Sequence, residues 1–73
     1  MSQVAKVVEK RGSKSPNGWT RIIEIHSGEK GQGQQIGKTI EYWPWSPRSE
    51  EQAYDIVAEI AKSNDLELVY DKE

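Results

Sequence analysis

SEEQAYDIVAEIAKSN, residues 49–64, carries the strongest periodicity of the chain, and the rest is read outward from it. Ala53, Ile56, Val57, Ile60 and Ala61 recur at the spacing of a single apolar helical face. Tyr54 and Ala58 widen that stripe, and Glu51, Asp55, Glu59 and Lys62 lie opposite. Ser49 with Gln52 three residues on has capping-box spacing. Glu50 and Glu51 suit the positive end of a helix dipole and Lys62 the negative end. Pro47 keeps the approach extended, and Asn64 suits a left-handed stop. A lone helix of this length is marginal in water, so its stripe must pack on something.

The partner is sheet. Residues 3–10 are rich in valine and predict a first strand, and WTRIIEIH, residues 19–26, predicts a second. Between them, residues 11–18 read as turn material with a long basic tip, ending in the turn sequence Ser15-Pro16-Asn17-Gly18. Residues 27–35, SGEKGQGQQ, contain no apolar side chain and predict a mobile loop. Residues 36–43 alternate as a third strand that Pro44 stops. Residues 66–70, LELVY, alternate again as a short last strand. The order βββαβ predicts one α+β domain over residues 1–73: a three-stranded antiparallel meander, one helix on one face, and a C-terminal strand beside the first or the third.

Face assignment then follows from the two-residue period. Ala5, Val7, Ile23, Ile25, Ile36, Ile40, Tyr42, Leu66, Leu68 and Tyr70 are expected to meet the helix. The other face would carry Val4, Lys6, Val8, Lys10, Ile22, Glu24, His26, Thr39, Glu41, Trp43 and Val69. That face is unusually apolar for a solvated one, and Val4, Val8, Ile22 and Trp43, with Trp45, are the candidate contacts for a protein partner or a second copy. A one-residue slip in one strand would instead exchange the two faces.

Composition narrows the classes further. The chain has 73 residues, no cysteine and a net charge of −2. It offers no disulfide scaffold and no thiolate metal site, and it has too little core to enclose a large cofactor, so no cofactor is expected. No run approaches the roughly 20 apolar residues of a membrane helix, and a cytoplasmic protein without a membrane contact is the expectation. Charge is uneven: residues 1–48 carry a net of +4 and residues 49–73 a net of −6. That asymmetry is a recognised hint of a nucleic-acid or membrane surface on one side, although a basic sheet and an acidic helix that attract each other, or are simply solvated faces, are the commoner case.

Motifs with chemistry fail on inspection. Gly31 to Thr39 resembles a phosphate-binding loop, yet five residues separate Gly31 from Gly37, and three separate Gly33 from it, where the motif needs four, and a strand pattern follows instead of a helix. His26 is the only histidine, and nothing in the spacing supplies it with a ligand set or a nucleophile. The carboxylates Asp55 and Glu59 sit where a solvated helix face puts them. No enzymatic activity is expected. Trp43-Pro44-Trp45-Ser46-Pro47 is the most unusual local sequence, stiff and amphipathic. It reads either as a core cap or as an aromatic platform for a peptide or unstacked bases.

Trp19-Thr20-Arg21-Ile22-Ile23-Glu24-Ile25 and Ser49-Glu50-Glu51-Gln52-Ala53-Tyr54-Asp55 resemble the second strand and helix start of two groups. These are the plant ethylene-response-factor type DNA-binding domain and the arm-binding domains of some phage integrases. The resemblance covers those two stretches; the basic opening motif of the family is missing, and the WPWSP segment and last strand are additional. It implies a three-stranded sheet reading the DNA major groove, with Lys6, Lys10, Arg11, Lys14, Trp19 and Arg21 as contacts. The leading expectation is therefore a small non-enzymatic interaction module working through the open sheet face. The alternative is nucleic-acid binding by the basic hairpin, disfavoured by Glu24 and Glu41 on the face DNA would cover.

Overall fold

The computed structural model describes residues 3–70. Its elements are β1 (Gln3–Ser15), β2 (Gly18–Ser27), β3 (Ile40–Tyr42), α1 (Pro47–Ser63) and β4 (Leu66–Tyr70). The strands form one open mixed sheet in the order β3-β2-β1-β4. β1 and β2 pair antiparallel, β2 and β3 antiparallel, and β4 runs parallel to β1. The last strand thus lies beside the first, the point the sequence left open.

Helix α1 packs Ala53 and Val57 against Ala5, Val7, Ile23, Ile25, Ile40 and Tyr42, all buried. Ile36, Tyr54, Ile56, Ile60, Leu66 and Leu68 fill in around them, half-buried. The expected inner face is therefore correct with one exception. Tyr70 pairs with Val7 in register but sits at the end of an edge strand and is 48% exposed. Ala58, expected on the stripe, is exposed.

The helix begins three residues earlier than its capping pattern suggests. Ser46 is the N-cap, its hydroxyl accepting from the Ser49 N–H at 3.4 Å, and Pro47 opens the first turn. Proline suits that position because its missing N–H would have no helical partner there. Ser49 serves a different purpose: its hydroxyl accepts from the Trp43 N–H at 3.0 Å. At the other end Asn64 has φ −110°, and the left-handed residue is Asp65, at φ 52°.

The largest departure from expectation is the hairpin. Residues 11–15 continue the strand instead of forming a loose tip, and the ladder runs to the Ser15–Gly18 pair across a two-residue turn. Thirteen extended residues span about 43 Å, against about 25 Å for the seventeen-residue helix. The molecule's longest dimension is 43 Å. The hairpin therefore overhangs the layer that α1 covers, and beyond Glu9 and Ile23 its side chains are exposed or half-buried, apart from Thr20.

The segment predicted to be a mobile loop is fastened to β2. The Ser27 N–H donates to Gln34, Gly33 to Ser27, and Ile36 to Ile25, so the chain between β2 and β3 folds back along the strand. Gly31 lies over the sheet face away from the helix. A methyl group on it would stand 3.1 Å from Lys6 Cβ and 3.4 Å from Val8 Cγ2.

Candidate functional site

Helix α1 leaves two surfaces uncovered: the sheet face opposite it and the overhanging hairpin with its adjoining corner. Register places Val4, Lys6, Val8 and Lys10 of β1 on the first of these, with Ile22, Glu24 and His26 of β2 and Glu67 and Val69 of β4. The expected partner contacts Val4, Val8 and Ile22 do share this face. They do not form an uninterrupted patch. Lys10 Nζ lies 2.9 Å from Glu24 Oε1, and that ion pair occupies the ladder positions between Val8 and Ile22. His26 Nε2 is 3.0 Å from the same carboxylate oxygen, and His26 Nδ1 is 3.2 Å from the Gly33 carbonyl. The His26 hydrogen bond, seconded by Lys10, holds the Glu24 carboxyl below the usual carboxylate range. Val8 is half-buried with Gly31 close above it, and Val4 is 36% exposed.

The hairpin is built around a register break between Arg11 and Lys14. Side chains replace the missing ladder bonds there. The Ser13 N–H donates to Thr20 Oγ1 at 2.8 Å and to Glu41 Oε2 at 3.2 Å. The Thr20 hydroxyl lies 2.6 Å from Glu41 Oε2, with the Ser13 carbonyl 3.1 Å away as its other acceptor. Thr20 is buried, and this network satisfies it. The same two donors hold the Glu41 carboxyl below its ordinary range, the Thr20 hydroxyl contributing most. Gly12 is required at the break, because a Cβ would collide with the Thr20 hydroxyl and stand 2.8 Å from Glu41 Oε2.

On the helix side of this overhang, Arg11 faces Arg21 and Lys14 faces Trp19 in register. The Arg11 guanidinium lies over the Trp19 ring, 5.3 Å from its centroid. Arg21 reaches Glu9 at 3.5 Å, and Glu9 also accepts from the Tyr54 hydroxyl at 2.6 Å. That bond, with burial, pushes the Tyr54 hydroxyl above the usual phenolic range. Among the described residues neither Arg11 nor Lys14 has a carboxylate partner. An open cleft of about 710 Å³ runs along this side, and it brings Pro44 to the same space as Arg11, Trp19 and Arg21.

Pro44 is the middle of the second feature. The Ser46 N–H donates to the Trp43 carbonyl at 3.0 Å, closing a turn with proline at its second position. The turn brings Trp43 and Trp45 together, centroids 6.4 Å apart and planes 14° from parallel. The Trp45 ring lies against Gly18, where a Cβ would stand 3.9 Å from Cζ3. The corner is therefore tied to the helix through Ser49 and lies alongside the hairpin turn. Trp19, Trp43 and Trp45 remain 47%, 54% and 38% exposed. None of the three tryptophans belongs to the buried core.

The expected nucleic-acid contacts divide between surfaces. Lys6 and Lys10 lie on the sheet face, whereas Arg11, Lys14, Trp19 and Arg21 gather on the helix side of the hairpin. The resemblance to sheet-based DNA readers implied one shared face, and alternation in β1 and β2 rules that arrangement out. Trp45 and Pro44 joining the hairpin was not legible from spacing, because it depends on a turn that doubles the chain back. Thr39 is followed by β3 and not by a helix, so the phosphate-loop pattern has no structural counterpart. Among the described residues no group of three His, Cys, Asp or Glu side chains could hold a metal ion, and no helix is long and apolar enough to cross a membrane. No protein-family model matches the chain, no curated protein matches it in sequence, and no solved structure matches its fold.

Proposed function

We propose that this chain is a small non-enzymatic binding module that takes its partner on the overhanging hairpin and the WPW corner. The observation that carries the reading is the exposure of all three tryptophans at that end of the molecule. Tryptophan brings a large apolar area to a surface, and a core as small as this one would ordinarily claim it. Exposed aromatic groups beside arginine are the residue types that dominate binding energy at interfaces. The overhang supports the same reading: a projecting arm reaches a partner without disturbing the packed layer behind it.

A second reading, self-association through the sheet face, is favoured by Val4, which is 36% exposed on the ladder row beside Glu67 and close to Val69. It is weakened by the Lys10–Glu24 pair and by the Gly31 segment, which divide the apolar positions.

Amide and indole chemical-shift mapping tests the choice. The chain is titrated with a panel of polymer probes: a single-stranded oligonucleotide, a duplex, poly-glutamate and poly-lysine. A dilution series of the chain alone runs beside them. Shifts confined to residues 9–21 and 43–46 support the hairpin surface. Shifts on Val4, Val8, Ile22 and Val69 upon concentration, with none at the tryptophans under any probe, would overturn it in favour of the sheet face.

A further inference from the structure

We infer that the hairpin and WPW corner form a site for single-stranded nucleic acid, an inference that rests on the binding surface proposed above and names its ligand. Three independent features converge on an unpaired strand. The first is the near-parallel Trp43–Trp45 stack, with both rings more than a third exposed. A parallel pair leaves an outward flat face on which another flat ring continues the stack, and every base has such a face. An acidic peptide would need the cations but would gain nothing from parallel indoles.

The second feature is charge. Residues 10–23 contain Lys10, Arg11, Lys14 and Arg21 and no acid. Lys10 is engaged by Glu24, but Arg11 and Lys14 meet no carboxylate among the described residues. Arg11 already lies over Trp19, which holds its guanidinium in place at little further ordering cost. The acids at this end are Glu9, bound by Tyr54 and Arg21, Glu41, bound by Thr20 and Ser13, and the exposed Glu50 in the first turn of α1. The acidic stretch after residue 48 gives the chain its negative total, but salt screens exposed charges beyond about 8 Å under physiological conditions.

The third feature is continuity. Pro44, between the two stacked tryptophans, lines the same cleft as Arg11, Trp19 and Arg21, with Glu9 the one acid on its wall, where Arg21 pairs with it. A backbone laid along the cleft would place phosphates by Arg11 and Arg21, continue past Lys14 opposite Trp19, and splay bases toward the indoles. A duplex does not suit the site. Its bases are already stacked and paired, and the hairpin's cations and the lysines of the sheet face point to opposite sides.

Tryptophan quenching and chemical-shift titration with a short oligo-deoxythymidylate test the proposal, with the matching duplex and poly-glutamate as comparisons. The single strand is expected to bind at low salt and to shift residues 11–21 and 43–45. Affinity should fall with a log–log salt slope of about −2, the value for three phosphate contacts on a single strand. Trp43→Ala should weaken binding about tenfold or more, and Trp43→Phe should retain most of it. Arg11→Glu with Lys14→Glu should abolish binding and leave the far-ultraviolet circular dichroism unchanged. Equal binding of poly-glutamate, indifferent to Trp43→Ala, would overturn the ligand and leave the surface as a site for acidic polypeptide. Shifts at the same residues from the duplex alone or from a second copy would likewise overturn only the ligand. Shifts elsewhere, or none with any probe, would overturn both this proposal and the binding surface on which it rests.

Discussion

Ile22 and Ile23 are neighbours in one strand and should respond very differently to truncation. Ile23 is fully buried in β2, opposite Ile40 in register and within the cluster that holds Val57. Ile22 points the other way, half-buried on the sheet face between Lys10 and Glu41. Truncating a fully buried isoleucine to alanine costs about 2–5 kcal/mol, part from lost transfer energy and part from the cavity left behind. The expectation for Ile23→Ala is about 3 kcal/mol. A folded chain of 73 residues has about 4–11 kcal/mol to lose, so this single change removes a large fraction of the stability. For Ile22→Ala, water already reaches the side chain and no closed cavity forms, so about 1 kcal/mol is expected. At roughly 4–8 °C per kcal/mol for a domain of this size, the melting temperatures should fall by about 12–24 °C and by less than about 8 °C. Thermal and urea unfolding followed by circular dichroism, at several protein concentrations, reads both. Equal losses for the two variants would refute the face assignment. A loss at Ile22 that grows with protein concentration would show the sheet face buried between copies and would sink the preference for the hairpin surface.

Three further outcomes follow from the site's geometry. Gly12→Ala forces the Thr20 hydroxyl away from Ser13 and Glu41, and urea unfolding should register a loss of about 1–3 kcal/mol, the usual range for overpacking. Ser46→Ala removes the side-chain acceptor at the start of α1 and should cost about 1 kcal/mol in the same assay; no change would mean that Pro47 and Ser49 suffice to start the helix. Glu24 has a folded-state pKa below its unfolded value of 4.5, through His26 and then Lys10. Its contribution is therefore fully present above that unfolded value and is lost as pH falls through the folded one. A stability–pH profile should show this acid limb in the native chain and a shallower limb in Glu24→Gln; identical profiles would show that the His26–Glu24–Lys10 cluster contributes nothing.

Local sequence determined much of the architecture. The 3.6-residue recurrence of Ala53, Val57 and Ile60 specifies a helix wherever the chain lies, because side chains three and four apart share one face. The two-residue alternation through Ile23 and Ile25, and through Ile40 and Tyr42, likewise specifies which side is buried. Those inferences need only neighbours in the chain, and they placed the core on the correct face. The position of β4 beside β1, the extension of the hairpin through residues 11–15 and the fastening of the Gly31 segment were decided by tertiary structure. Each depends on hydrogen bonds between residues far apart in sequence, which periodicity does not record. Thr20 illustrates the limit: as a residue in a strand it reads as a surface position, yet Ser13 and Glu41 converge on it and bury it. The candidate site has the same history. Its tryptophans and arginines were each visible as residue types, but only the turn at Pro44 stacks Trp43 on Trp45 and sets them against Gly18. The helix at residues 49–64 was the clearest feature to read because its pattern is local, whereas the proposed binding surface was the hardest because it exists only where β1, β2 and the corner before α1 are brought together.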